Sequence, residues 1–209
     1  MHPNPAFRED DQARALVMAQ DRAFGILTVT GPDGVLASHI PFVIDGAVMG
    51  MHLVRSNPIA RLLKDGPLDA LMIVSGPDAY ISPDWYGIDD QVPTWNYVAV
   101  HLRGRLSLLP DETLKPHLDH VSGHLEKHFL PKKIWTMDKM TPEAAARFMR
   151  QIVPVAMEIG EVASTWKLNQ NKDDDVRLRA ADAVEASPIG AEQHALANLM
   201  RDVPPKSAT

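Results

Sequence analysis

The 209-residue sequence contains no cysteine, which excludes disulfides, thiolate metal sites, iron–sulfur clusters and cysteine nucleophiles together. It has no apolar run near the ~18 residues that span a bilayer, and its opening stretch, Met1 to Asp11, is polar and lacks the apolar centre of a secretion signal. The expectation is a cytoplasmic protein with no membrane partner. Cationic excess is missing too: 21 Lys and Arg face 27 Asp and Glu, a formal net charge of −6. DNA is therefore a possible partner that the overall charge does not support, because phosphate binding draws on Lys and Arg. No GxSxG elbow, P-loop or Rossmann glycine fingerprint is present, which leaves the common hydrolase, NTPase and NAD-binding templates without support. No repeat of solenoid or propeller length is seen.

What remains is an ordinary globular composition, 45% hydrophobic and 23% charged, and the length favours one domain. Ala13, Leu16, Val17 and Gln20 have helical spacing behind Asp10 and Asp11. Phe24 to Thr30 and Val35 to Val43 then read as strands around the turn Gly31-Pro32-Asp33-Gly34, and Asp45-Gly46 leads to a third strand, Ala47 to Leu53. Three strands on short turns imply an antiparallel meander. Asn57 before Pro58 has the chemistry of a helix cap followed by a first-turn proline, with Ile59 to Lys64 continuing and the helix start a candidate anion site. Leu68 to Ser75 reads as a buried strand, Gly76 to Thr94 as a long functional loop, and Tyr97 to Leu108 as another strand. Helices are expected over Asp111 to Lys127 and Thr141 to Ile152, a last strand over Val155 to Thr165, and helical patches up to Met200 before a frayed tail, Val203 to Thr209.

Aromatic residues make up only 6% of the chain, yet all three tyrosines and two of the four tryptophans fall between Ala79 and Tyr97. Flat side chains in such density suit a heterocycle slot, with tyrosine and tryptophan polar ends at its rim; an aromatic cluster or a dimer interface is the alternative.

Two segments within this stretch are specific. Gly76-Pro77-Asp78-Ala79-Tyr80-Ile81-Ser82-Pro83-Asp84-Trp85-Tyr86 and Val92-Pro93-Thr94-Trp95-Asn96-Tyr97 resemble signatures of the PaiB-like family of FMN-binding negative transcriptional regulators. Met1 to Phe7, Ala37 to Phe42 and Gly50 to Pro58 fit the same family. The late motif Lys167-Leu168-Asn169-Gln170-Asn171 departs from it by carrying Asn where the family has Ser. The likeness runs to about Asn171. It implies an α+β fold: an antiparallel split β-barrel with peripheral helices, homodimeric and related to pyridoxamine phosphate oxidase-like flavoproteins, with FMN as cofactor. Residues 1–171 would form the FMN-binding domain and 172–209 a helical appendage with a flexible tail.

FMN asks for cationic donors at its phosphate, polar groups along its ribityl chain and an apolar slot for its ring. Arg55, Ser56 and Asn57 are the phosphate-end candidates, although a surface ion pair and a helix cap would equally use Arg55 and Asn57. Ser38, His39 and His52, on neighbouring predicted strands, are candidates for the ribityl chain or ring edge. The late motif offers Lys167, for phosphate or the pyrimidine edge, and Gln170, while Trp95 and Asn96 border the ring. The resemblance further implies that each site draws on two subunits.

His117, His120, His124 and His128 recur at spacings of three or four and form one stripe on a predicted helix. A metal or haem site is one use of such a stripe and a solvated or interface stripe the other; the sequence around them is not HExxH, and no metal ligand set is assigned. Asp84, Asp89 and Asp90 read as turn and solubility residues. The function expected is a flavin-dependent negative transcriptional regulator or sensor. A flavin-dependent reductase or oxidase of a small molecule, or a haem- or metal-handling protein, is the alternative.

Overall fold

The computed structural model describes residues 1–8 and 11–204. Asp10, expected to cap the first helix, and the tail beyond Pro204 lie outside the described residues. The chain divides into two compact units of interleaved segments: a first unit of residues 1–15, 75–100 and 163–209, and a second of residues 16–74 and 101–162.

The second unit begins with most of helix α1 (Gln12–Arg22), then β1 (Phe24–Gly31), β2 (Gly34–Asp45) and β3 (Val48–Val54). The turn residues act as the sequence predicts. Gly31 pairs with Gly34 across Pro32-Asp33, and Asp45 pairs with Val48 across Gly46-Ala47; Gly34 and Gly46 both have positive φ, a conformation side chains disfavour. Helix α2 (Pro58–Leu62) is capped by Asn57, whose Oδ1 accepts the Ile59 amide at 2.9 Å. β4 (Leu68–Ile81), β5 (Thr94–Leu108) and β6 (Ile152–Lys167) follow, each running from one unit into the other. Helix α3 (Leu114–Glu126) packs on β2 and β3, and α4 (Pro142–Met149) starts at Thr141, whose hydroxyl accepts the Ala144 amide at 3.3 Å.

The strands make one seven-stranded antiparallel sheet in the order β1-β2-β3-β6-β5-β4, ending on a two-residue strand β7 (Gly190–Ala191), with β1 also pairing β4. That extra pairing, Ile26 to Val29 against Ile73 to Ala70, closes six strands into a ring. Alternation explains its interior: Met49, Met51 and Leu53 on β3, Met72 and Val74 on β4, and Leu102 and Leu106 on β5 are buried. β5 and β6 approach so closely that a Cβ on Gly104 would lie 1.9 Å from the Glu158 carbonyl oxygen. Only glycine fits there.

The first unit holds the ends of β4, β5 and β6, a 3-10 turn at Pro83–Tyr86, β7, and helices α5 (Asp174–Glu185) and α6 (Gln193–Arg201). Here the structure corrects the predicted loop. The Gly76-Pro77 pair, expected to begin the loop, sits inside β4, which continues to Ile81 because Ala79 and Ile81 are buried on one face and β7 pairs with Asp78 and Ala79. Within the predicted loop, Ser82 and the stretch from Gly87 to Pro93 are irregular. The expected last helical patch is shorter, since Gly190 and Ala191 form β7 before α6 begins.

Candidate functional site

Six of the ten residues singled out from the sequence belong to the second unit and four to the first. In the second unit the fold joins two that are 19 positions apart: Asn57 Nδ2 donates to Ser38 Oγ at 2.7 Å. With Oδ1 on the Ile59 amide, the Asn57 side chain thus pins the start of α2 to β2. Arg55 lies just before it, its Nε and Nη2 each donating at 3.1 Å, to the carbonyls of Arg150 and Ile152. Asp111 lies 3.6 Å from Nη2, a solvent-exposed pair of small worth. Nη1 has no partner among the described residues, so the guanidinium is held by its backbone bonds with one face of donors unspent. Ser56 is exposed beside it, and His39 is an exposed β2 residue with its ring 6.3 Å from that of Phe24.

His52 has a partner that sequence reasoning assigned elsewhere. Its Nδ1 lies 3.2 Å from Nε2 of His117 on α3. Burial lowers the pKa of both rings, and His117, further disfavoured by the neighbouring His52 and His120, is lowered to about 4. The histidine stripe is thereby divided. His117 turns to β3, and His124 meets the Gln20 side chain at 3.2 Å, while the Gln20 Oε1 accepts the Ile44 amide at 2.7 Å. His120 and His128 are exposed. Among the described residues no group of three His, Cys, Asp or Glu gathers as a metal set would require.

In the first unit, Trp95 is 44% exposed and meets Tyr80 edge-on, with ring centroids 6.4 Å apart. Trp95 and Tyr97 line a cavity of about 440 Å³ together with Gly76, Asp78 and Ala99. Lys167 is half-buried; its Nζ donates to the Thr94 hydroxyl, lies 5.7 Å from the Phe7 ring centre, and has its pKa lowered by burial. Asn96 is fully buried and directs its amide nitrogen at the Met200 sulfur, 3.5 Å away. Gln170 spends its amide on its own loop, donating to the Trp166 carbonyl at 2.6 Å and accepting from the Leu168 amide at 2.8 Å. Asn169 has φ of +61°, which accounts for Asn at this position: it enters the left-handed region more readily than Ser does. Its Oδ1 accepts from the buried Tyr86 hydroxyl at 3.4 Å.

Sequence reasoning missed three residues here: Thr94, which meets Lys167; Tyr80, which meets Trp95; and Arg179 of α5. Both tyrosine and threonine stand in the quoted motifs, so the signal was present. Arg179 gave none; its Nε and Nη2 donate to the Tyr86 carbonyl at 3.1 and 2.8 Å. A cavity of the second unit, about 500 Å³ among Thr28, Leu71, Arg103 and Glu161, contains none of the ten candidates.

Residues 1–161 match the family model described as "Putative FMN-binding domain". The chain belongs to this family. The Protease synthase and sporulation protein PAI 2 of Bacillus subtilis is 30% identical over 189 residues, covering 88% of each chain. The PaiB-like resemblance is thus met by a PAI relative, and the family match makes this chain a flavin-binding protein with FMN as its cofactor. Two solved structures share the fold. The flavocytochrome Anf3 from Azotobacter vinelandii is 12% identical with a TM-score of 0.61, over 91% of this chain and 81% of that one. The FAD and heme binding protein from Mycobacterium smegmatis is 14% identical with a TM-score of 0.57, over 83% and 79%. Among the described residues no helix is long and apolar enough to cross a membrane.

Proposed function

We propose that two copies of the chain assemble clefts for FMN and that flavin occupancy, or its redox state, sets a negative regulatory output in the cytoplasm. The family match over residues 1–161 carries this reading. The residues present suit the cofactor. Arg55, with unspent Nη1 donors beside the exposed Ser56 hydroxyl, matches a phosphate, and the Trp95–Tyr97 cavity falls within the ~300–1,000 Å³ of small-molecule sites. Lys167, partly desolvated beside Thr94, suits an electron-rich ring edge or a phosphate oxygen.

Ser38, His39 and His52 are assigned to the ribityl chain or ring edge. Asn57 and Gln170 hold backbone, the first at the start of α2 just after Arg55 and Ser56 and the second in the loop after Lys167, while Asn96 packs β5 against α6 through the Met200 sulfur. FMN, when bound, supplies electron-transfer chemistry, so no catalytic side chain is needed for sensing. With a net charge of −6, the regulatory step is assigned to a protein partner ahead of direct DNA contact.

Titration of the purified protein with FMN, followed by flavin fluorescence and sedimentation, tests the reading. Saturable uptake by a dimer is expected, and Arg55→Ala weakens it by about 1.5–3 kcal/mol. A monomer that takes up no FMN would overturn the proposal. Steady turnover of bound FMN with NADH or NADPH and a small-molecule acceptor would replace the regulatory output with an oxidoreductase. A specific DNA complex in gel shifts that survives raised salt would replace the protein partner with an operator.

A further inference from the structure

The burial of β4 changes phase along the strand. Ala70, Met72 and Val74 are buried, then Gly76 and Pro77 in succession, then Ala79 and Ile81. A slip of one residue in a pleat of period two sends every later side chain to the opposite face. Ser75 and Asp78, an odd and an even position, therefore share the outer face. On the neighbouring β5, Asn96 and Val98 are buried, which turns Trp95, Tyr97 and Ala99 outward. These two sets surround the cavity of about 440 Å³, which lies wholly in the first unit. Gly76, without a side chain, and Ala99, with a methyl, leave the space between larger neighbours.

The chemistry of this cavity is one-sided. Among the described residues that line it, Asp78 is the one charged side chain, and no Lys, Arg or His joins it. The half-buried carboxylate accepts the Ala191 amide through Oδ1 at 3.2 Å. Among the described residues no cation pairs with it and no donor reaches Oδ2. Tyr97 stands beside it, and so does Trp95, its ring set at 78° to that of Tyr80. A carboxylate without a counter-ion next to electron-rich rings is the recognition chemistry of an organic cation, because the ring quadrupoles and the carboxylate attract the same charge. An anion there would meet Asp78 with no donor to offset it. FMN brings a flat ring to Trp95 and Tyr97 but no cationic group to Asp78, so the cofactor leaves the carboxylate unused.

We propose that this cavity binds an organic ammonium ion, a primary amine carrying an apolar or aryl group, whose head donates to Asp78 Oδ2 and whose body lies against Trp95 and Tyr97. It is a second ligand for a slot already read as part of the flavin cleft. Its place beside the flavin rests on that reading; the binding of the cation does not.

Calorimetric titration of the full chain without flavin, at constant ionic strength, compares phenethylammonium with phenethyl alcohol and phenylacetate. Saturable uptake of the ammonium is expected, with the alcohol and the carboxylate at least about tenfold weaker. Asp78→Asn keeps an Oδ1 to accept the Ala191 amide but removes the charge, so it should weaken the ammonium about tenfold while thermal denaturation stays that of the wild type. Trp95→Leu should weaken it about threefold, and Trp95→Phe should recover part of the loss. Equal uptake of ammonium and alcohol, or an ammonium affinity that stays level in Asp78→Asn, would overturn the proposal; the comparison of probes on the wild type decides it even if a variant fails to fold. A Trp95→Leu chain that keeps its ammonium affinity but turns from dimer to monomer would make the aromatic face an interface between copies and likewise end the proposal. FMN is then titrated into the ammonium-saturated wild type. Uptake of both together upholds the shared slot, and competition between them overturns it. A chain that takes up the ammonium and no FMN defeats the flavin reading and leaves the cation site standing.

Discussion

The two units treat buried polar groups in opposite ways. In the second, two part-buried side chains are paired on both sides: Asn57 bonds both Ser38 and the Ile59 amide, and Gln20 bonds both the Ile44 amide and His124. In the first, three buried side chains keep an unpaired atom, namely Asn96 Oδ1, Asn169 Nδ2 and Arg177 Nε. A buried polar group without a partner costs free energy that a paired one does not, and among the described residues three of the four such atoms lie in the unit with the aromatic cavity. The second unit's own exception is His101 Nδ1.

Four measurements would break or sharpen that contrast. The largest effect is expected at the tightest point of the ring: Gly104→Ala forces a methyl against the Glu158 carbonyl and should cost about 3 kcal/mol in chemical denaturation. A near-neutral result would mean that β5 and β6 yield more readily than the close approach implies. Asn57→Ala removes a helix cap and a strand tether together and should cost about 1–2 kcal/mol. Acidification comes next. His117 holds its neutral form down to about 4 in the fold, against 6.5 for an ordinary histidine, so between those values the unfolded chain binds the proton more readily. The contribution is complete above 6.5 and lost as pH falls to about 4, and denaturation midpoints across that range should slope less in His117→Gln. The smallest effect belongs to the first unit: Asn96→Leu deletes an unpaired carbonyl and a weak sulfur contact and should shift stability by no more than about 1 kcal/mol. A loss as large as that of Asn57→Ala would erase the contrast.

Much of the fold is legible from local chemistry. The hairpins follow from Pro32, Asp33, Gly34 and Gly46, and α2 and α4 follow from Asn57-Pro58 and Thr141-Pro142, because caps and turns act over a few residues. The continuation of β4 through Gly76-Pro77 is not legible in this way: it depends on burial of Ala79 and Ile81 and on pairing with a strand more than a hundred residues later. The site behaves similarly. Motifs pointed to Arg55, Trp95 and Lys167, but whether a side chain serves a ligand or its own backbone is a tertiary matter. Gln170 bonds the backbone of its own loop, and Asn57 bonds the Ile59 amide and the Ser38 hydroxyl. The meeting of His52 with His117 needs the register of a helix on a strand, which no spacing in the sequence encodes.

The short strand β7 lies past the family-matched residues yet pairs with Asp78 and Ala79, and its Gly190 sits so close that a Cβ would meet the Asp78 carbonyl oxygen at 2.3 Å. Trimming the protein back to residue 161 would strip that edge bare and uncover Tyr86, which Arg179 holds by its carbonyl. Bare edges recruit other chains, so such a fragment is expected to precipitate or swap strands. In the full chain, two residues of β7 cover that edge of β4 at Asp78 and Ala79.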